Sequence, residues 1–528
     1  MTDFSPLIAD LHRFCGPGAV LTDDESRAFF SQDVYRIGLK PLAVVRPGSV
    51  LALTQVVAAA IAKGVAVFPR GGGISYTDAY LPTTESALVL DLRGLNRILT
   101  INAQDMYVTV EAGCTWAALD AALKPHGLRP PFWGPFSGSK ATIGGSLSQG
   151  TATFGSARVG PSDVAVIGLK VVLADGSILT TGSGAQPHHA PFFRHYGPDL
   201  TGLFTSDSGA LGIKAEVTLQ LEKRPNCVQG LSYAFQDAQA CYSAMAEAAR
   251  SGLAGEVFAV DAELLRQSAG NADLRRDFAT LLQVGRSGSG PFDGLLRMMR
   301  LALAGRNFAK GIPFTVHVVT EANDQSRLKG NVSELRRMIE PYGTEIANTV
   351  PTVVRANPFP PLAVMAPNGR RLLAIHAIVP FSVGTALHAV TEKIVGHYAN
   401  VLHENKVAIG YSFATVGRTG LLYEPVFYWE DSRELFHTRE SPADMLAAMA
   451  TFPPNPSGRA LVQRVRDEMV EVMFAHGAAH LQIGKAYPYL RERDPSALAL
   501  LHTLKRHVDP RGLINPGALG LAMPGPQP

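Results

Sequence analysis

Three glycine-rich segments in the first half of the chain have the composition of anion-binding loops. The first, Pro69 to Ser75, places three consecutive glycines directly after a short apolar run. The second, Thr142 to Ser148, and the third, Ser206 to Ile213, combine glycines with hydroxyl side chains. Because glycine has no Cβ, its backbone N–H groups can turn toward a phosphate at close range. Three such segments on one body suit a diphosphate ligand that carries a flat ring system.

The spacing of these glycines does not match two common nucleotide motifs. The first segment has neither the GxxxxGK[ST] pattern of a P-loop nor the GxGxxG pattern that opens a Rossmann helix. On spacing alone, three unrelated tight turns are an open alternative. The segments therefore predict a phosphate-bearing ligand without identifying it.

Alternating strands and helices must position these segments. An apolar run at Leu42–Arg46, a helix capped by Ser49 and a second run at Val65–Phe68 predict a βαβ unit that ends in the first glycine segment. The same patterns predict a helix at Thr115–Leu123 and strands at Ala87–Leu92, Tyr107–Glu111, Val164–Leu173, Ser177–Thr181 and Leu211–Leu221.

The length of 528 residues predicts about two to four domains. Lys223, Arg224 and Pro225 interrupt the apolar pattern, so the first domain is predicted to span residues 1–225. Residues 226–455 have the mixed periodicity of a second α+β domain, and residues 456–528 form a C-terminal segment. These two parts are predicted to contain helices at Ala238–Ala249, Thr385–Leu402, Ala460–Phe474 and Ser496–His507, and strands at Phe314–Val319 and Leu372–Val379. The predicted fold class is α+β.

The composition argues against several classes of protein. A net charge of +3 with 18% charged residues is not typical of a dedicated nucleic-acid binder, and 46% hydrophobic residues indicate a globular chain. The N-terminus lacks a signal-peptide pattern and no apolar run is long enough to cross a bilayer, so a cytoplasmic location is expected. Four scattered cysteines without neighbouring histidines at metal spacing predict no metal site.

Four ordered motifs resemble a known family. They are Pro69–Gly73, Ala141–Gly145, Ile167–Gly176, and Asp199–Phe204 running into Ser208–Ile213. Together they resemble the FAD-binding domain of the vanillyl-alcohol oxidase and para-cresol methylhydroxylase flavoproteins. Near the C-terminus, Ile483–Lys485 and Asp509–Gly517 resemble the closing segment of the D-lactate dehydrogenase-type members.

The resemblance implies a two-part FAD-binding domain, an α+β cap domain for the substrate, and a C-terminal helical segment that returns to the flavin. It implies that FAD is held by Pro69, Arg70, Gly71, Gly72, Gly73, Ile74, Ser75, Thr142, Ile143, Gly144, Gly145, Ser146, Ser148, Gly209, Gly212, Ile213 and Asn515. Covalent members often carry a histidine after the first glycine loop, where this chain has Ile74–Tyr76. Non-covalent FAD is therefore expected, with His376 and His437 as alternative covalent attachment points.

The chain departs from the D-2-hydroxy-acid members at two places. Those members carry a metal-binding His-x-His or His-x-Gly-Asp-Gly-Asn segment and a Glu-His-Gly before the closing Ile-Gly-Lys. Here the corresponding segments are Gly410–Arg418 and Ala478–Lys485. His480 is one position away from the family histidine, and no active-site metal is expected.

The residue types and the resemblance together indicate the catalytic candidates. Arg418 or Lys485 is a candidate partner for a substrate carboxylate or phenolate, and Glu424 is a candidate base. His480, Tyr487 and Tyr489 fall in the segment that approaches the flavin. The second domain also contains a group of closely spaced aromatic residues, Tyr411, Phe413, Tyr423, Phe427, Tyr428 and Trp429. They could line an aromatic substrate pocket, or they could belong to the ordinary hydrophobic core.

The predicted function is that of an FAD-dependent dehydrogenase or oxidase that transfers a hydride from a hydroxyl-bearing carbon of a small molecule to flavin N5. The first candidate substrate is a 2-hydroxy acid such as D-lactate, and a para-substituted phenol or benzylic alcohol is the alternative. A flavin-binding electron carrier or scaffold without its own substrate is the alternative of another class. Oxygen, a quinone and a cytochrome are the candidate electron acceptors, no nucleic-acid partner is expected, and a homodimer is the assembly considered.

Overall fold

The computed structural model describes residues 3–269, 311–360, 366–441 and 443–521. The chain divides into two compact units. The first comprises Met1–Thr151, Ser162–Arg224 and Leu481–Pro528, and the second comprises Ala152–Pro161 and Pro225–His480. The C-terminal segment predicted to run from residue 456 is therefore divided, because its first helix belongs to the second unit and the rest belongs to the first.

The helices and strands are numbered in chain order. The helices are α1 (Ser5–Cys15), α2 (Asp24–Phe30), α3 (Val50–Ala62), α4 (Trp116–Leu123), α5 (Ile143–Gln149), α6 (Ser156–Val159), α7 (Leu200–Leu203), α8 (Ala238–Ser251), α9 (Ala262–Ala269), α10 (Gln325–Ile339), α11 (Thr349–Ala356), α12 (Phe381–His397), α13 (Ala399–Glu404), α14 (Leu435–Glu440), α15 (Ala443–Ala448), α16 (Pro456–Ala475) and α17 (Pro495–Val508). The strands are β1 (Val20–Leu21), β2 (Ala43–Val45), β3 (Ala66–Arg70), β4 (Ala87–Asp91), β5 (Ile98–Asn102), β6 (Tyr107–Glu111), β7 (Leu128–Arg129), β8 (Val166–Val172), β9 (Ile178–Thr180), β10 (Ile213–Gln220), β11 (Glu222–Lys223), β12 (Cys227–Phe235), β13 (Ala254–Asp261), β14 (Phe314–Ala322), β15 (Thr344–Ile346), β16 (Arg371–Ala374), β17 (Ala377–Pro380), β18 (Val407–Val416) and β19 (Gly420–Trp429).

The first unit contains a mixed four-stranded sheet in the order β1-β2-β4-β3. Strands β2, β4 and β3 are parallel, and the predicted βαβ unit is confirmed, with β4 lying between its two strands. The Ser49 side chain accepts a hydrogen bond from the backbone N–H of Ala52 and so caps α3 as predicted. Strand β3 ends at Arg70, so this sheet delivers the chain directly into the first glycine segment.

A second sheet in the first unit positions the other two glycine segments. It is antiparallel, in the order β5-β6-β10-β8-β9. Helix α5 carries the second glycine segment and packs against β10, which begins at Ile213 where the third segment ends. The two sheets thus place all three segments in one unit.

The second unit is built on one large antiparallel sheet in the order β15-β12-β14-β13-β18-β19-β16, with β17 also paired to β19. Helices α8, α10 and α12 cover one face, where Tyr411, Phe413 and Tyr423 are buried against Tyr242 and His388. Side chains alternate along a strand, so Ser412 and Glu424 point to the opposite face.

The predicted strand at Leu372–Val379 is wrong in one respect, because the chain breaks into two strands there. Residues 375 and 376 interrupt the pairing between β16 and β17, although both strands align on β19. His376 lies in this break and is buried.

Within the described ranges, no helix combines the length and the apolar character needed to cross a lipid bilayer. The cytoplasmic location remains a prediction.

Candidate functional site

The first glycine segment leaves no room for side chains. A Cβ at Gly71 would lie 2.2 Å from Thr142 Oγ1, and one at Gly72 would lie 2.1 Å from the carbonyl oxygen of Lys140. At Gly73, φ is +69°, and a Cβ would lie 2.0 Å from the Arg70 guanidinium. Residues with a side chain do not fit at these positions. The backbone of the first segment therefore packs directly against Lys140 and Thr142, where the second segment starts.

The second segment is held by its own side chains. Thr142 Oγ1 accepts a hydrogen bond from Gly145 N at 3.3 Å and caps α5. Ser146 Oγ accepts a bond from Trp116 Nε1 at 2.9 Å, and Ser148 Oγ donates to the Gly144 carbonyl at 2.9 Å. The hydroxyls of these residues thus support the loop, while a direct contact with FAD remains a prediction for Ser148, which is partly exposed.

Main-chain hydrogen bonds join the third segment to the second. Ser206 N donates to Leu147 O at 2.8 Å, and Ser208 N donates to Ser148 O at 2.7 Å. Ser206 and Ser208 adopt positive φ of 52° and 51°, and Gly209 follows with φ of 70°. The three segments predicted from their glycines are therefore brought together in the first unit.

Asn515 and Lys485 join the closing segment to these loops. Asn515 Nδ2 donates to Ala79 O at 2.8 Å and to Ser208 O at 2.7 Å, and its Oδ1 accepts from Lys485 Nζ at 3.1 Å. Lys485 Nζ also lies 3.0 to 3.2 Å from the carbonyl oxygens of Asp78, Ala79 and Leu81. Burial lowers the pKa of Lys485 to about 8.

These contacts correct two predictions. Lys485 was expected to pair with a substrate anion, but protein acceptors already occupy its three N–H bonds. Arg70 was expected to bind FAD, but its side chain is completely buried, with its guanidinium 4.7 Å from the ring centre of Phe30 and 5.4 Å from that of Tyr80. Both cations stabilise the loops that would hold the cofactor.

Exposure separates the other predicted FAD residues into two groups. Partly exposed in the structure are Pro69, Gly71, Gly72, Ile74, Ser75, Gly145 and Ser148. Buried are Gly73, Thr142, Ile143, Gly144, Ser146, Gly209, Gly212, Ile213 and Asn515. A ligand could reach the backbone and small side chains of the partly exposed group, and contact between these residues and FAD remains a prediction.

The prediction missed two buried ion pairs that hold the third segment. Asp207 accepts from Lys214 Nζ at 2.6 Å and from Gly209 N at 3.0 Å. Lys505 Nζ donates to Asp509 Oδ2 at 2.7 Å, to Ala210 O at 2.7 Å and to Ile514 O at 2.9 Å. The i,i+4 spacing of Lys505 and Asp509 on a predicted helix end was the available signal.

Replacing Lys485 by methionine is expected to lower the free energy of unfolding by about 1 to 3 kcal/mol, because buried carbonyl oxygens lose their donor. Thermal or urea unfolding of the purified variant measures this loss. Lys63→Met, at an exposed helix end, is the matched control and should change stability by less than about 0.5 kcal/mol. Equal stabilities of the two variants would contradict the structural role of Lys485.

A second cluster of titratable groups lies within the second unit. Glu424 and Ser412 are direct cross-strand partners on β19 and β18, and the Ser412 hydroxyl favours the ionised form of the Glu424 carboxyl group. His376 Nε2 lies 3.1 Å from Glu424 Oε1. His480 Nδ1 lies 2.6 Å from the carbonyl oxygen of His376, so that nitrogen carries the proton. Of the predicted catalytic residues, Glu424 and His480 are thus brought together, with His376 between them.

Burial sets the protonation of this cluster. It raises the pKa of Glu424 to about 7, with the Ser412 hydrogen bond acting in the opposite direction. Burial, together with a smaller effect of His480, lowers the pKa of His376 to about 3, so the His376 ring is neutral at pH 7. Burial also lowers the pKa of His480. A carboxyl group that titrates near neutral pH can accept a proton from a substrate hydroxyl.

Of the other predicted catalytic residues, Arg418 belongs to the second unit, and Tyr487 and Tyr489 belong to the first. Arg418 lies in the exposed β18–β19 turn, and Glu424 is four residues into β19, roughly 13 Å from its start at about 3.3 Å per residue. The Arg418 guanidinium lies beside Gly252 at the end of α8, a helix that covers the sheet face opposite Glu424. It is therefore not the anion partner in this cluster. Tyr487 and Tyr489 belong to the first unit, where Tyr487 is buried and the Tyr489 ring lies 3.7 Å from the Arg493 guanidinium.

Burial bears on two alternatives that the sequence left open. Tyr411, Phe413 and Tyr423 belong to the core beneath α8 and α12, so they do not line an aromatic substrate pocket. His437 is buried with its ring nitrogens 3.0 and 3.2 Å from Arg371 Nη1, which makes it a structural group rather than a point of flavin attachment. Across the described parts of the chain, no group of three or more His, Cys, Asp and Glu side chains is arranged to hold a metal ion.

The first unit therefore has the loops of a protein that binds a diphosphate-bearing cofactor, and sequence comparison identifies the cofactor class. Residues 41–182 match the family FAD binding domain, and residues 446–519 match the family FAD linked oxidases, C-terminal domain. The chain carries both domains, so FAD is its cofactor, and the resemblance predicted from the glycine segments is confirmed.

Individual relatives align with only part of this chain. The chain is 31% identical over 201 residues to glycolate oxidase subunit GlcD of Bacillus subtilis, covering 38% of this chain and 41% of that protein. It is 28% identical over 209 residues to D-lactate dehydrogenase [cytochrome] 1 of Saccharomyces cerevisiae, covering 39% and 34%. The chain thus spans about a third to two fifths of the length of these two relatives.

The fold as a whole has a solved counterpart. The structure of p-cresol methylhydroxylase with substrate bound aligns with a TM-score of 0.73 and 17% identity, over 98% of this chain and 97% of that chain. This likeness concerns the fold, and it confirms the predicted α+β class.

Proposed function

We propose that this protein is an FAD-dependent oxidoreductase that removes a hydride from a hydroxyl-bearing carbon of a small molecule and a proton from the hydroxyl group, with a 2-hydroxy acid as the first candidate substrate. The observation that carries the proposal is Glu424, a carboxyl group that titrates near pH 7 on the sheet face opposite α8, α10 and α12. The names of the matching relatives, a glycolate oxidase subunit and a D-lactate dehydrogenase, support a hydroxy acid.

In this proposal, the glycine segments bind FAD and Glu424 removes the substrate's proton. The partly exposed main chain at Gly71, Gly72 and Gly145 would hold the diphosphate of FAD, since a side chain at Gly71 or Gly72 would collide with the second segment. FAD, when bound, supplies the two-electron acceptor. Glu424 in its ionised form takes the hydroxyl proton, and Ser412 donates a hydrogen bond that stabilises that form.

A para-substituted phenol or benzylic alcohol is the second candidate substrate. Two observations favour it. Lys485 is occupied by protein acceptors and the Arg418 guanidinium lies beside Gly252, so neither predicted cation supports a substrate anion at this cluster, which favours an uncharged benzylic alcohol over a carboxylate. The p-cresol methylhydroxylase fold also matches nearly the entire chain.

Anaerobic reduction of the purified flavoprotein tests the proposal. D-lactate is expected to bleach the flavin absorbance, with no effect of a chelator such as EDTA. Bleaching by 4-hydroxybenzyl alcohol alone would replace the first substrate class by the second, and chelator-sensitive turnover would contradict the metal-free interpretation. If no hydroxyl donor bleaches the flavin, the electron-carrier alternative replaces the enzyme. Acid precipitation of the same sample should leave the flavin in the supernatant, as expected for non-covalent FAD.

A further inference from the structure

We propose that His376 is a positioning residue for Glu424, which it holds in the orientation that accepts the substrate's hydroxyl proton. This inference rests on the proposed function. His376 lies in the break between β16 and β17, and its Nε2 is 3.1 Å from Glu424 Oε1. At that distance we assign the ring proton to Nε2, from which it donates to the ionised carboxylate.

The main chain around His376 is anchored independently of Glu424. Its carbonyl oxygen accepts from His480 Nδ1 at 2.6 Å. The next residues form a two-way bridge, since Ile378 N donates to Ala479 O at 2.6 Å and Ala479 N donates to Ile378 O at 2.9 Å. The segment that follows α16 therefore fixes the backbone that carries the imidazole, and the imidazole in turn fixes the carboxylate.

A neutral donor suits a base better than a cation would. An arginine or lysine at this distance would stabilise the ionised carboxylate strongly and would lower the proton affinity of Glu424. The buried, uncharged His376 ring supplies one N–H without a full charge. Arg466 on α16 acts on His480 and disfavours its charged form, so the second histidine does not add a cation either. Glu424 thereby stays oriented and remains able to bind a proton at neutral pH.

Three variants of the holoenzyme separate positioning from mere packing. His376→Leu removes the donor, and His376→Gln keeps an amide N–H that reaches about as far as Nε2. His317→Leu is the buried control, because His317 lies in the same sheet but bonds only Ser232 and Thr315 among the described residues. Infrared titration of the Glu424 carboxyl, assigned by its loss in Glu424→Gln, is measured alongside steady-state kinetics.

His376→Leu is expected to raise the midpoint of the Glu424 titration by about one pH unit, because a hydrogen bond to the ionised form is lost. Its kcat at pH 7 should fall about tenfold or more with KM changed less than about twofold. His376→Gln should restore kcat to within about threefold of the wild-type value and should return the midpoint of the Glu424 titration close to that of the wild type. His317→Leu should leave the midpoint unchanged.

The proposal is overturned if the midpoint in His376→Leu equals that of the wild type, or if the glutamine variant behaves like the leucine variant. Should His376→Leu fail to fold, His376→Asn replaces it, since its shorter amide does not reach Glu424 and is expected to give the leucine result. A His376-dependent titration in a protein that turns over no hydroxyl donor would refute the proposed function while leaving the positioning of Glu424 intact.

Discussion

Glu424→Gln is expected to lower kcat/KM at pH 7.5 by about 10²- to 10⁴-fold, the range that a positioned general base contributes. Glutamine keeps the shape and the hydrogen-bonding capacity toward Ser412 and His376 but accepts no proton. In the wild type, kcat/KM should rise with pH through about 7, because burial raises the pKa of Glu424 to that value and only the ionised form is a base. The variant should lose this dependence. Steady-state kinetics from pH 5.5 to 8.5 measures both effects.

The stability of Glu424→Gln distinguishes lost chemistry from lost folding. The pKa of Glu424 is about 7 in the folded state and 4.5 ordinarily, so the folded state binds more protons between these values. The carboxyl group's contribution to stability is therefore present below about pH 4.5 and is lost as the pH rises toward 7. Relative to the wild type, the variant should be more stable at pH 8 than at pH 5.

Glu404→Gln, at an exposed position on α13, is the matched control and should keep full activity. Equal activity of the two variants would remove Glu424 from the mechanism.

Gly72→Ala is expected to weaken FAD binding by about 10- to 100-fold, which corresponds to the 1 to 3 kcal/mol that overpacking costs. The new Cβ would lie 2.1 Å from the carbonyl oxygen of Lys140, a backbone atom that moves only if the second glycine segment moves with it. The flavin absorbance of the purified protein and titration of the FAD-free protein with FAD measure the change.

Gly48→Ala is the matched control for this substitution. A Cβ at Gly48 meets no atom within 4 Å, and its φ is not in the left-handed region, so FAD content should match the wild type. The Tm of Gly72→Ala should stay within a few degrees of the control if the effect is confined to the loop. A Gly72→Ala protein that retains wild-type FAD content and affinity would show that the first glycine segment does not hold the cofactor.

Much of the cofactor-binding unit could be predicted because its signals are local. Consecutive glycines are required wherever backbone packs on backbone, and the contacts of Gly71, Gly72 and Gly73 show that requirement directly. The Ser49 and Thr115 caps and the apolar periods of α3 and α4 likewise depend on neighbours a few residues away. Residue types and short-range spacing therefore determine these elements and the ligand class they suit.

The roles of single polar residues were decided by the tertiary structure. Lys485 and Arg70 look in sequence like anion-binding cations, but the fold surrounds one with carbonyl oxygens and the other with aromatic rings. His376 and Glu424 are far apart in the chain, and they meet because β19 pairs with both β16 and β17 while the chain breaks between those strands. By itself the sequence determined the glycine loops and the α+β class, since those depend on local backbone geometry, and FAD as cofactor followed from the family resemblance of its motifs. Only the tertiary structure decided which charges are buried, which are paired and which carboxyl titrates near neutral pH, because burial and pairing depend on strand register across the sheet.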